Sequence, residues 1–183
     1  MAIYFTSDLH LGHDKEFIWK ARGFNNVNEM NTTIIKNLNN AVGYDDDLYI
    51  LGDLILGNVE EGKKLLKQIP GKVHVILGNH DTAKKIEFYE SLGWDCQWGL
   101  MTKINGYTIL MSHWPTKTQN FDLKPLKREV INLHGHTHQT SSWTDNEYCM
   151  YHVGVDSHSC YPVLFEHIIE DLIDDRKKEG MPV

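Results

Sequence analysis

Ala2-Ile3-Tyr4-Phe5-Thr6-Ser7-Asp8-Leu9-His10 begins as an apolar, β-rich run and ends in an aspartate and a histidine two positions apart. If the strand's period of two persists to its end, both polar side chains point one way and Leu9 the other, so one cation could take both. Four further runs finish in the same chemistry. Leu48–Leu51 leads into Gly52-Asp53, Val73–Leu77 into Gly78-Asn79-His80-Asp81, Tyr107–Met111 into Ser112-His113, and Val130–Leu133 into His134-Gly135-His136-Thr137-His138. In open α/β sheets ligands bind beyond the carboxyl ends of the strands, so these five clusters are expected to converge. Glycine before Asp53, Asn79 and His136 would let the backbone bend sharply beside a crowded ion.

Helical spacing fills the gaps between the early runs. Val27, Met30, Ile34, Leu38 and Ala41 recur at three- and four-residue steps, as do Gly62, Leu65, Leu66 and Ile69. Ile86, Tyr89 and Leu92 form a third pattern, with Thr82 as N-cap and Gly93 as stop. Alternating strand and helix predicts an α/β fold with a buried, largely parallel sheet. The later strands, including Tyr148–Val155, are closer together and predict a mixed or antiparallel extension. The Asn-rich stretch from Asn25 to Asn40, the run Asp45-Asp46-Asp47 and the charged tail from about Asp174 read as caps, a solvated turn and a frayed terminus.

The chain has 183 residues, 41% hydrophobic and 23% charged, with a formal net charge of −7. That length predicts one domain, residues 1–183, with a core large enough to fold without a disulfide. The apolar content excludes disorder, and no apolar run approaches the roughly 20 residues of a membrane span. An acidic balance argues against a grip on long nucleic acid. Three cysteines, Cys96, Cys149 and Cys160, form no C-x-x-C pair, and the first residues lack a signal-peptide pattern, so a cytoplasmic, reduced setting is expected. Eleven histidines in so short a chain point to metal ligation and proton transfer.

A single D-x-H or G-D is common by chance. The ordered series D-x-H, G-D, G-N-H-D, S-H and G-H-x-H, from Asp8 to His138, resembles the calcineurin-like metallophosphoesterase superfamily. Within it, Asp8-Leu9-His10-Leu11-Gly12-His13, Ser112-His113-Trp114-Pro115 and Val153-Gly154-Val155-Asp156 followed by Tyr161-Pro162-Val163 resemble a subgroup of short bacterial and phage phosphoesterases. The resemblance implies a four-layer α/β/β/α sandwich with mixed β-sheets and two divalent metal ions at the strand ends. It assigns one ion to Asp8, His10, Asp53 and His138, and the other to Asp53, Asn79, His113 and His136, with Asp53 as the bridge. His80 would contact the phosphoryl oxygen or protonate the leaving group, and Asp81 would orient its imidazole.

Elementary chemistry supports that ligand set. Two neighbouring dications repel, and a shared carboxylate and a shared hydroxide lower the repulsion while creating a nucleophile at neutral pH. The expected reaction is hydrolysis of a phosphodiester or phosphomonoester of a small, nucleotide-like substrate, by in-line attack of that hydroxide. An uncapped cleft puts the diester slightly ahead. Nitrogen and oxygen donors without thiolate suit manganese first, with iron, zinc, nickel or cobalt as alternatives.

Around this set, His13 and Trp114 are candidate substrate contacts, and Arg22 could reach a phosphate oxygen, although a solvated surface arginine is the plainer reading. Lys117, Lys124, Lys127 and Arg128 would form a basic rim or a solvated run. His134 and Asp156 are expected to support the site rather than ligate, His74 to lie on a strand face, and the tryptophans at 19, 94, 98, 114 and 143 to line core or cleft. After Gly52-Asp53 the sequence reads Leu54-Ile55-Leu56-Gly57 and so lacks the G-D-x-x-D-R-G pattern of protein phosphatases, and the spacing from His80 to His136 leaves no room for a large cap. A metallo-β-lactamase-type site fails because Gln139-Thr140 stand where Asp-His is required. A catalytically silent protein-binding module of the same fold is the rival from another class, and retention of every ligand counts against it.

Overall fold

The computed structural model describes residues 1–118, 124–145 and 149–183, of which 143–145 by backbone alone. The expected strand residue Tyr148 and the side chain of Trp143 lie outside the described residues. The elements are β1 (Ile3–Thr6), α1 (Glu16–Trp19), α2 (Val27–Ala41), β2 (Asp47–Ile50), α3 (Val59–Leu66), β3 (Lys72–Ile76), α4 (Ala83–Ser91) and β4 (Asp95–Gln97). They continue with β5 (Leu100–Ile104), β6 (Tyr107–Met111), a 3-10 turn at Leu126–Arg128, β7 (Val130–His134), β8 (Trp143–Asp145), β9 (Met150–His152), β10 (Val163–Leu164) and α5 (Phe165–Lys178).

Strands and helices alternate through the first half and build a sheet of order β10-β1-β2-β3-β4, parallel except for β10. The second sheet has the order β5-β6-β7-β9-β8, with parallel pairs β6–β7 and β7–β9 between antiparallel edges. The fold is therefore the expected α/β class with two mixed sheets.

Local signals set the helices. Asn26 caps α2 by accepting the Glu29 N–H, and Asn58 caps α3 by accepting that of Glu61. Met30, Ile34 and Leu38 then fall on one stripe of α2 and meet Leu48, Ile50, Val73 and Val75 of the first sheet. The opposite face of that sheet carries Phe5, Leu51 and Ile76 against Ile109, Met111, Ile131, Leu133 and Tyr151 of the second. A sheet covered on both faces reads as a continuous apolar run, as these strands do. Helix α5 packs Phe165, Ile168 and Leu172 into the same inter-sheet core.

Three departures have physical causes. Strand β4, Asp-Cys-Gln, is short and exposed at the sheet edge, so it carries no apolar signal. Strand β5 is an edge strand whose Met101 is 61% exposed. The charged tail is not frayed: α5 runs to Lys178 and holds Arg176 buried, with Nη1 donating to the carbonyls of Lys124 and Pro182 and Nη2 to the Cys149 sulfur.

Truncating that buried, multiply bonded guanidinium should be costly. Arg176→Ala is expected to lower stability by about 2–3 kcal/mol, or roughly 5–10 °C in thermal melting for a chain of this size. An unchanged melting temperature would restore the frayed-tail reading.

Candidate metal centre

The hydrogen-bond ladder between β1 and β2 does not stop where the strands do. Asp8 N–H donates to Gly52 O, His10 N–H to Asp53 O and Leu11 N–H to Leu54 O, each at 3.0 Å. The two loops therefore leave the sheet edge side by side. Asp8, His10, Asp53, His136 and His138 all take positive φ, between 48° and 70°. That region is sparsely populated by residues with a Cβ and costs of order 1 kcal/mol or more each, so its recurrence at five neighbouring positions marks a site that the surrounding fold enforces. The expectation of strand alternation is corrected here: Asp8 and His10 converge because left-handed backbone folds both side chains inward, and His136 and His138 do the same.

Gly52, at φ 91°, supplies the bend expected before Asp53, whereas Gly78 and Gly135 serve the crowding in another way. A Cβ on Gly135 would come within 2.2 Å of Ser7 Oγ and 2.4 Å of Asp8 Oδ2, and one on Gly78 within 2.3 Å of Asp53 Oδ1. At both positions it is the absent side chain, letting backbone approach a carboxylate, that the fold uses.

Two groups of donors result. In one, His10 Nε2 and His138 Nε2 lie 3.1 Å apart, with Asp8 Oδ1 at 3.9 and 3.8 Å from them. In the other, His113 Nε2 lies 3.1 Å from Asn79 Oδ1, 3.2 Å from His136 Nδ1 and 3.5 Å from Asp53 Oδ2. Asp53 Oδ2 also stands 3.8 Å from His10 Nε2, facing both groups. Donor sets compact enough for a metal are Asp8, His10 and His138, and Asp8, Asp53 and His113. Asp8 is common to those two sets, while Asp53 is the carboxylate that looks into both groups.

The donors fit cations. Asp8 is fully buried; its Oδ2 accepts from Ser7 Oγ and from the His136 N–H, but its buried Oδ1 has no hydrogen-bond partner. His113 donates Nδ1–H to Leu51 O at 2.8 Å, and His138 donates Nδ1–H to Asp156 Oδ2 at 3.0 Å, so each ring turns its Nε2 inward. Nitrogen and oxygen atoms able to ligate a metal thus crowd together at 3.1 to 3.9 Å, an arrangement that a shared positive ion suits. Burial, reinforced by His138 and Arg22, pushes the His10 pKa down to about 2, which leaves a neutral imidazole at pH 7. Burial pushes Asp8 upward, only partly opposed by His138 and His113.

The neighbouring residues divide. His80 is half-exposed, with Nε2 3.9 Å from Asp53 Oδ2 and its ring edge-on to His10. Its N–H donates to Asp53 Oδ1 and its carbonyl accepts from Lys85 Nζ, so the backbone is fixed at both ends. Asp81 does not reach the His80 ring. Its Oδ2 accepts from the backbone N–H groups of Asp53 and Gly78, and its Oδ1 from Tyr89 OH; it pins the two ligand loops together rather than orienting His80. Arg22 is neither on the surface nor aimed at the site. It is buried, pairs through two nitrogens with Asp156 at 2.9 and 3.0 Å, and donates to the carbonyls of Asp8 and Leu9.

Burial alone would raise the Asp156 pKa, but the His138 hydrogen bond and the Arg22 charge outweigh it and hold the carboxyl below its ordinary range. His13 stacks beside His10, and Trp114, 39% exposed, meets His113 edge-on and leans over His136. His134 is buried and donates Nδ1–H to Gly135 O, and His74 bridges Asp47 and Asp95 far from the donors. Trp98 is exposed, against expectation. Sequence reasoning missed Ser7, Lys85 and Tyr89. Lys85 and Tyr89 lie four apart on the buried side of α4, and a lysine on an apolar helix stripe was the available signal.

With this geometry, the comparisons with known proteins are consistent. Residues 1–179 match a family model described as calcineurin-like phosphoesterase. The chain is 36% identical over 140 residues to an uncharacterised protein of Methanocaldococcus jannaschii, covering 74% of this chain and 69% of that one. It is 30% identical to the Gene 66 protein of Mycobacterium phage D29, covering 88% and 92% of the two. Its fold is similar to that of a protein of unknown function from Aquifex aeolicus, with a TM-score of 0.66 and 24% identity over 93% of this chain and 98% of that one.

Because Asp156 holds His138 in place, Asp156→Asn is expected to weaken binding of a divalent cation by roughly 10- to 100-fold in equilibrium dialysis, with an unchanged far-UV spectrum. Unaltered affinity would mean that His138 needs no such support.

Proposed function

The chain belongs to the calcineurin-like phosphoesterase family, and on that premise we propose that it hydrolyses a phosphodiester or phosphomonoester of a small, nucleotide-like substrate at a two-cation centre, the diester ahead. The observation that carries this reading is the position of Asp53 Oδ2, which faces His10, His113 and His80 at 3.8, 3.5 and 3.9 Å. A carboxylate so placed suits a bridge between Asp8, His10 and His138 on one side and Asn79, His113 and His136 on the other, with His80 at the open edge.

Divalent cations bound there, manganese first among those the nitrogen and oxygen donors suit, supply the Lewis acidity that draws in phosphoryl oxygens and makes a nucleophile of water at neutral pH. The protein's own residues do the rest. Five neutral ligands, His10, Asn79, His113, His136 and His138, hold charge in place without quenching it, so an anionic phosphoryl group is attracted. Water gives up one proton to solvent as it adds to phosphorus opposite the leaving oxygen, the phosphorus–oxygen bond breaks, and its electron pair departs on that oxygen. His80 Nε2 delivers the proton that completes the alcohol. The anchors at Asp53 Oδ1 and Lys85 Nζ fix the backbone from which its half-exposed imidazole extends. Arg22, through Asp156 and the Asp8 and Leu9 carbonyls, keeps the first donor group in register. The reading takes residues 1–183 as one domain in a reducing, cytoplasmic setting; the three cysteines are free, and no described helix is long and apolar enough to cross a membrane.

Protein stripped with chelator and reloaded with Mn²⁺, Ni²⁺ or Zn²⁺ should hydrolyse bis-p-nitrophenyl phosphate, and p-nitrophenyl phosphate more slowly. No turnover with any metal would refute the enzyme reading. Asp53→Asn should abolish metal-dependent turnover while the protein remains folded. His80→Ala should retain its metal content and lose roughly 10²- to 10⁴-fold in turnover, the usual range for a general acid; wild-type turnover in that variant would remove His80 from the mechanism.

A further inference from the structure

Two cavities open beside the donor cluster and share a wall. One, of about 300 Å³, lies against His138 and Asp156 and reaches across Ala21 and Phe24 to Thr140 and Ser159. The other, of about 260 Å³, lies against the same His138 and Asp156 and passes Ala21 toward Ile18 and Phe17. Together they make a groove that begins at a metal-ligand candidate and runs out under α1. From these contacts we infer that the groove is a subsite for the substituent of a phosphodiester that stays on phosphorus, and that it takes an uncharged aromatic group of nucleoside size. The inference rests on the phosphoesterase reading above.

Placement decides which substituent. His80, Asn79 and His113 line neither cavity, so a group seated in the groove is not the one whose oxygen departs beside His80. A monoester has only the departing group and leaves such a subsite unused. A diester uses both: its leaving alcohol exits at His80, and the product retained at His138 is the phosphomonoester of the group in the groove.

Chemistry decides the class. The guanidinium of Arg22 forms part of the floor, but its donors are committed to Asp156, Asp8 O and Leu9 O. Asp156 is likewise committed, to Arg22 and His138. The pair leaves no free cation for a second phosphate. What remains is a mixture of apolar and aromatic walls with two hydroxyls, Thr140 and Ser159. That lining suits a flat group with hydrogen-bonding edges, and the volume is at the lower end of small-ligand sites, roughly 300 Å³ and above. Phe17 marks the lip. It is 70% exposed, and it meets His13 edge-on while His13 leans on His10. An aromatic substituent entering the groove would cover that ring.

The test compares two diesters with one leaving group, the p-nitrophenyl ester of thymidine 5′-phosphate and methyl p-nitrophenyl phosphate, on the metal-loaded full chain. The thymidine ester should be preferred in kcat/KM by roughly tenfold or more, the scale of one well-packed aromatic contact. Ala21→Trp, which fills the shared wall, and Phe17→Ala, which removes the lip, should each shrink that ratio several-fold. Thymidine itself, lacking phosphate, should give saturation-transfer NMR signals with wild-type protein that disappear in Ala21→Trp. Equal kcat/KM for the two esters, or a ratio unmoved in both variants, would overturn the subsite. If no ester is hydrolysed, the phosphoesterase reading fails by itself. Thymidine binding then decides the groove alone: signals lost in Ala21→Trp uphold it as an aromatic site, and their absence from wild type removes it.

Discussion

Asp8 sets the terms for the rest of the molecule. Its carboxylate is sealed from solvent, one oxygen held by Ser7 and the His136 N–H, the other facing His10 and His138 with no hydrogen bond. An isolated charge in that position is unfavourable by several kcal/mol. A divalent cation resolves the conflict, and the features around Asp8 make sense as ways of presenting it to one. Gly135 is bare so that backbone can touch the carboxylate, Arg22 grips the Asp8 carbonyl from behind, and the left-handed turn at Asp8 aims the side chain away from the strand.

The same point joins the two sheets. Val155 N–H donates to Ser7 O, so the chain leaving β9 is stitched to the chain leaving β1 one residue before Asp8. The candidate donors of the first sheet, Asp8, His10, Asp53 and Asn79, therefore meet His113, His136 and His138 from the second because the sheets close on each other there. The apolar side chains between them, Phe5 and Leu51 against Ile109, Met111, Ile131 and Leu133, are what hold that closure. Rigidity of the donors is thus a property of the inter-sheet core rather than of the loops that carry them.

Much of this was legible in the residues, for identifiable reasons. The central strands are buried on both faces and announce themselves as apolar runs, and α2 carries its stripe at the helical period. The edge strands β4 and β5 lack such a pattern because water covers one side of them. At the site, which residues come together followed from what ends each strand, but how they do so did not. Alternation along an extended strand was the wrong geometry for Asp8 and His10, since left-handed φ at an aspartate or histidine leaves no local trace. Arg22 and Asp81 were misread for a related reason. Arg22 is a charge whose partner, Asp156, is 134 residues away, and Asp81 joins the nearby Gly78 N–H and Tyr89 OH to the N–H of the distant Asp53, so only the closed fold brings both arrangements together.

The proposed centre is two cation sites that share Asp53, and anomalous diffraction from a crystal of the manganese-loaded protein would locate them. Two peaks per chain are expected, one among Asp8, His10 and His138 and one among Asn79, His113 and His136, with Asp53 touching both. A single peak, or peaks away from Asp53, would contradict it.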